Sequence, residues 1–209
     1  MPTKAAKSPY DVHPGIKMIQ NWVDTLKAKT GRDIDEWVAL VQKSGPPTHK
    51  ARREWLKAQY GVGSNAAWWI ADRAEGKGLE DGDPEAYLRA AAGYVEAMYA
   101  GPKSALRPLH DRILTMGRKL GKDVKVCPCQ TIVPLYRNHV FAQLKPTTRT
   151  RIDLGLALGK YEGELPERLI DTGGKEKKDR LTHRIVITKL EEIDGEMTDW
   201  LKAAYDLDG

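Results

Sequence analysis

Hydrophobic spacing changes from helical to strand-like just after Gly121, and that change limits the architectures open to this chain. Before it, apolar residues recur every three or four positions, the period of a helix with one buried stripe. After it they fall in short runs separated by turn residues, at 124–127, 131–136, 140–144 and 151–158. In the last run Ile152, Leu154, Leu156 and Leu158 alternate with Arg151, Asp153, Gly155 and Ala157, so one face of a strand is apolar. A fifth strand is expected at 183–188 and a closing helix at about 194–205, with Met197, Trp200, Leu201 and Ala204 on its packed side. Helices at either end of an antiparallel meander predict an α+β fold. The expected layout is a small four-helix N-terminal domain, then an antiparallel-sheet domain flanked by helices.

The N-terminal helices are delimited by their punctuation. A first helix over 15–30 carries Ile16, Ile19, Val23 and Leu26 and stops at Gly31. A second, over 33–44, buries Ile34, Trp37, Val38 and Val41 and is ended by Gly45, Pro46 and Pro47. Thr48 is the expected N-cap of a third helix through Gln59. After the turn at 60–63, Ser64 is the expected N-cap of a fourth over 65–73. Trp22, Trp37, Trp55, Trp68 and Trp69 all lie here and are assigned to core packing, because so small a domain needs large side chains to bury enough area. Further on, Asp83 and Pro84 start a helix through about Tyr99, and another covers about 104–120.

A chain of 209 residues accommodates two such domains. The expected division is a disordered leader over 1–14, the helical domain over 15–75, a glycine-rich linker over 76–83 and the α+β domain over 84–209. No apolar run approaches the ~20 residues that span a bilayer, and the leader lacks the apolar core of a secretory signal. A cytoplasmic protein without a membrane partner is therefore expected. Cys127 and Cys129, separated by Pro128, are too close for an unstrained disulfide and are read as structural thiols. The net charge is +5; residues 1–79 hold 13 Lys and Arg against 8 Asp and Glu, and the remainder is balanced. That placement favours an acidic partner for the N-terminal part.

Two stretches carry a family resemblance. The run Thr131-Ile-Val-Pro-Leu-Tyr-Arg-Asn-His-Val-Phe-Ala-Gln-Leu-Lys145, with the leucine-rich strand behind it, resembles a bacterial domain of unknown function over about 100–209. That domain occurs alone or attached to larger proteins, some of them described as predicted transport or restriction-related. Thr30-Gly31-Arg32, and Trp55-Leu56-Lys57 leading into Gly61-Val62-Gly63, resemble a second uncharacterised helical domain that often precedes it. The resemblance implies the two-domain layout and no catalytic residue set.

One motif points to a function. Gly61, Val62 and Gly63, then Ala67 and Ile70, have the spacing of the helix-hairpin-helix element of DNA-binding proteins. Two glycines let the backbone turn sharply and approach a ligand, and the first turn of the next helix, from Ser64, aims unsatisfied N–H groups at a phosphate. Lys57, Arg52 and Arg53 on the preceding helix are assigned to flanking phosphates of DNA or RNA. The usual apolar residue two positions before the first glycine is Gln59 here. A tight turn between core helices and a protein-binding turn use the same residues, so residue types alone leave three readings open.

Other constellations lack members. A zinc site needs four ligands, and Cys127 and Cys129 have no second cysteine pair. Ser44, Ser64 and Ser104 sit at helix ends, outside any glycine-flanked elbow, and His110 and His139 are expected to be solvated. No catalytic residue, cofactor or metal is assigned. Tyr136, Arg137, Lys145, Arg149 and Arg151 form a candidate anion- or ligand-binding face on the sheet, solvated turn charges being the alternative. The function expected is that of a non-enzymatic binding protein contacting nucleic-acid backbone or a protein partner. The alternatives are an enzyme or small-molecule sensor with a pocket in the α+β domain, and a pure protein-interaction module.

Overall fold

Helix boundaries follow the capping chemistry. The computed structural model describes residues 8–209 and divides into two units, Pro14–Tyr87 on one side and residues 8–13 with Leu88–Gly209 on the other.

The first unit is helical: α1 (Pro14–Thr30), α2 (Ile34–Ser44), α3 (His49–Tyr60) and α4 (Ser64–Ala74), then a single 3-10 turn at Leu79–Gly82. Asp33 and Glu36 form a reciprocal capping box that starts α2. Thr48 caps α3, its hydroxyl accepting from the Ala51 N–H at 3.3 Å. The core gathers Leu26, Trp37, Val41, Leu56, Val62, Ala67 and Ile70. Trp37, 1% exposed, hands its indole N–H to the Thr30 hydroxyl at 2.9 Å, so its polar edge is satisfied inside. Trp68 departs from the expected role. It is 45% exposed, because its neighbours Ala67 and Ile70 take the inward stripe of α4.

The segment 76–83, expected to be a linker, is folded into this unit. The Lys77 N–H donates to the Asp72 carbonyl at 2.9 Å, Gly78 takes a left-handed φ of 64°, and the 3-10 turn packs against α1. The division between units falls inside α5 (Pro84–Met98), between Tyr87 and Leu88. Moving it changes the charge assignment. Residues 14–87 carry 11 Lys and Arg against 11 Asp and Glu, so the +5 excess belongs wholly to the rest of the chain.

In the second unit, α6 (Arg107–Lys119) precedes six strands: β1 (Lys125–Val126), β2 (Val133–Tyr136), β3 (Val140–Lys145), β4 (Ile152–Leu156), β5 (Ile170–Asp171) and β6 (His183–Ile187). A one-turn helix α7 (Gly174–Lys177) joins β5 to β6, and α8 (Gly195–Asp206) closes the chain. The sheet is antiparallel with order β1-β2-β3-β4-β6-β5, giving an α+β fold. Leu144, Ile152, Leu154, Leu156, Ile185 and Ile187 are fully buried, as the alternation in β4 required. α6 packs on β1 and α8 on β3 and β4. Gly117 allows a close approach, since a Cβ there would stand 2.4 Å from Leu135 Cδ2.

Of the expected leader, residues 1–7 lie outside the described residues. Residues 8–13 are ordered against the sheet: Asp11 donates its N–H to the Val126 carbonyl at 2.8 Å and accepts the Val126 N–H on its carboxylate at 2.9 Å. β1 gains a partner on its free edge in this way.

Candidate phosphate-binding hairpin

Gly61 ends α3 in the left-handed region, φ 65° and ψ 18°, which a side chain would make costly. From there its N–H reaches the Lys57 carbonyl at 3.2 Å, and that of Val62 reaches Leu56 at 3.3 Å. These bonds satisfy the last carbonyls of α3. Val62 is buried and pins the turn to the core, while Ala67 and Ile70 bury the far side of the hairpin.

The expected cap of α4 is shifted by one residue. Gly63, not Ser64, is the N-cap; it is extended at φ −60° and ψ 154° and supplies no side-chain acceptor. The N–H groups of Ser64, Asn65 and Ala66 therefore open α4 without a side-chain cap. A Cβ placed on Gly61 or Gly63 meets nothing within 4 Å, and Ser64 and Asn65 are exposed. Between Glu54 and Asp72 the only charged residue is Lys57, which is exposed one turn before Gly61.

Gly61, Val62, Gly63, Ser64 and Lys57 are thus gathered at one end of the hairpin. Arg52 and Arg53 are not; they lie eight or nine residues earlier on α3, roughly 12 Å along its axis. Arg52 is occupied by the Pro46 carbonyl at 2.9 Å and by Glu75 at 3.5 Å. Arg53 stacks its guanidinium 4.2 Å over the ring of Trp68, whose edge also meets His49.

The face proposed on the sheet does not assemble from its five residues. Tyr136 pairs in register with Val140, whereas Lys145 lies five residues further along β3, about 17 Å away at the strand rise. The Tyr136 hydroxyl meets His13 Nε2 at 2.9 Å and is pushed up to about 12 by burial. Arg137 bonds Asp123 at 2.9 Å and stacks on Tyr205 at 4.2 Å. Arg151 pairs with Asp153. Lys145 and Arg149 stand together beside a depression of about 510 Å³. The residue that organises this region is Asp153, which carries no local motif signal.

Neither cysteine is in a disulfide. Burial pushes the Cys127 thiol up to about 12, and its Sγ lies 3.7 Å from the Val12 carbonyl. No group of three or more His, Cys, Asp or Glu side chains is placed to hold a metal among the described residues. His110, expected to be solvated, is fully buried against Tyr99, with ring centroids 4.6 Å apart, because it occupies the packed side of α6. His139 is exposed and sits 3.1 Å from the Asp208 carboxylate. Among the described residues no helix is long and apolar enough to cross a membrane.

No curated protein and no solved structure matches the chain. Two family models do, both of domains of unknown function: DUF4287 over residues 18–75 and DUF5655 over residues 95–208. The first covers the α1–α4 hairpins and the second the whole sheet with α6 and α8. With more than half its length in that second match, the chain belongs to the DUF5655 family and carries a DUF4287 domain ahead of it.

Proposed function

We propose that this is a binding protein whose α3–α4 hairpin contacts the phosphate backbone of nucleic acid. The observation that carries the reading is the start of α4, which has no side-chain cap and opens on exposed Ser64 and Asn65 beside the left-handed turn at Gly61. A phosphate oxygen is the acceptor such a terminus favours, since both the free donors and the helix dipole attract negative charge. Contact through phosphate alone carries no base readout, so binding is indifferent to sequence.

The charge balance refines the salt dependence. With the helical unit neutral overall, Lys57 on the hairpin and Arg32 over the Tyr60 ring, one or two phosphates are neutralised. The logarithm of affinity then falls with a slope of about −1 to −2 against the logarithm of salt, roughly four- to sixteen-fold between 50 and 200 mM. A fluorescence titration of a short oligonucleotide at several salt concentrations measures this. Gly63→Val should abolish most of the binding, since its side chain occupies the space a phosphate needs, and Lys57→Ala should flatten the slope by about one. No affinity at low salt, or full affinity in folded Gly63→Val, shows the turn to be structural only.

A further inference from the structure

The sheet exposes a polar face whose composition follows from strand register. Gln143, Gly155 and Arg184 form one cross-strand row on β3, β4 and β6, and Lys145, Asp153 and Val186 form the next. Residues two apart on a strand share a face, so both rows look the same way, opposite to Leu144, Leu154 and Ile185 in the core. Gly155 has no side chain in the middle of its row. The result is a hollow of about 230 Å³ with Gln143 on one side and Arg184 on the other. Leu181 supplies an apolar wall, 3.3 Å from where a Cβ of Gly155 would stand.

The charges around the hollow do not cancel. Asp153 is 8% exposed and accepts from the Thr147 hydroxyl at 2.8 Å and from Arg151 and Arg184, each at 3.3 Å. Arg151 Nε also stands 2.9 Å from its other oxygen, without the alignment of a hydrogen bond. One carboxylate thus faces two guanidiniums. Lys145, directly opposite Asp153 in register, makes no ion pair among the described residues. Arg151 does not line the hollow, so the lining itself, Lys145 and Arg184 against Asp153, is one positive charge in excess. In addition, Arg184 Nε is buried without a hydrogen-bond partner, a donor that water no longer serves.

We infer that this hollow binds a small anionic metabolite, its carboxylate or phosphate group lying over Gly155 between Arg184, Lys145 and the Gln143 amide. An oxyanion removes the excess charge and gives these donors an acceptor. The volume is below the ~300 Å³ lower end of drug-sized pockets, which suits a small molecule and not a polymer chain. The site is separate from the α3–α4 hairpin and stands or falls without it.

The test is an NMR titration of the full chain, following backbone amides at constant ionic strength, with inorganic phosphate in one arm and acetate in the other. Saturable shifts centred on Gln143, Gly155 and Arg184 are expected with at least one probe, and the probe that saturates identifies the anion class. Arg184→Gln should weaken the apparent affinity at least tenfold. Lys145→Gln, at an exposed position that leaves the Asp153 pairs in place, should weaken it at least threefold and guards against misfolding of the first variant. An absence of saturable shifts with both probes, or the same affinity in folded Lys145→Gln as in the parent chain, overturns the inference.

Discussion

The two proposed anion sites, one on the helical unit and one on the sheet, use opposite chemistry. At the α3–α4 hairpin the donors are backbone N–H groups, held by a turn whose shape depends on the left-handed Gly61, with Lys57 the one charge between Glu54 and Asp72. On the sheet the donors are side chains, Arg184, Lys145 and Gln143, carried on rigid strands around a nearly buried Asp153. A backbone site on a neutral unit reads geometry and tolerates most surface substitutions. A side-chain site reads charge, so single substitutions change its electrostatics directly.

The largest expected effects test whether the two units are separate bodies. Trp37→Ala should destabilise the helical unit by about 3–5 kcal/mol and Leu154→Ala the sheet unit by about 2–5 kcal/mol, through lost burial and the cavity left behind. Five of the six tryptophans lie in the helical unit, so fluorescence-detected urea unfolding reports mainly on it. Leu154→Ala should leave that transition in place while moving the far-ultraviolet signal of the sheet. If both signals move together, the chain unfolds as one cooperative body.

Next in size is a contrast within the hairpin. Gly61→Ala places a side chain at φ 65° and should cost about 1–2 kcal/mol. Gly63→Ala sits at φ −60° with open space around it and should be close to neutral. Denaturant midpoints of the two variants check this, and equal losses would contradict the turn geometry. The near-neutral position makes Gly63 the clean site for testing ligand approach.

In the sheet unit, acid should act through His110. Burial lowers its pKa, outweighing the pull of Asp111 at 3.0 Å in the other direction. A histidine depressed in the folded state takes up its proton more readily when unfolded. The sheet unit therefore loses stability as pH falls below about 6.5, the unfolded value, until the folded value is reached. Midpoints measured from pH 7.5 to 5 should fall, and His110→Gln should remove that part of the fall. A rise towards acid would contradict the buried neutral ring.

The smallest effect is chemical. With its thiol pushed up to about 12, Cys127 is only about one part in ten thousand thiolate at pH 8. A thiol reagent should leave Cys127 unmodified in the native protein and count two thiols after unfolding. Rapid native labelling of Cys127 would mean that its surroundings open.

Much of this fold is legible in the sequence because its signals are local. Helix caps at Thr48 and Asp83, and the alternation from Ile152 to Leu158, each occupy a few neighbouring residues. β5 and α7 are not legible, being two and four residues long inside a charged loop. Gly174 shows what holds that loop instead: a Cβ there would lie 2.6 Å from the Leu181 carbonyl, a close approach no pattern announces. The segment 76–83 misleads for a related reason, since its glycines read as a linker yet shape a packed turn. Misplacing that boundary also misplaces the charge excess. The glycine pair of the hairpin is visible because only Val62 separates its members. The hollow over Gly155 is not, because it requires the register of strands some forty residues apart in the chain.

The central claim is that backbone phosphate meets the start of α4 and not the charged sheet. Amide shifts of the full chain on adding a short oligonucleotide without terminal phosphates test it most directly. Saturable movement of the Gly63, Ser64, Asn65 and Ala66 amides is expected, weakened by salt, with Gln143, Gly155 and Arg184 unmoved. Movement confined to the sheet residues, or none at the hairpin under low salt, would contradict it.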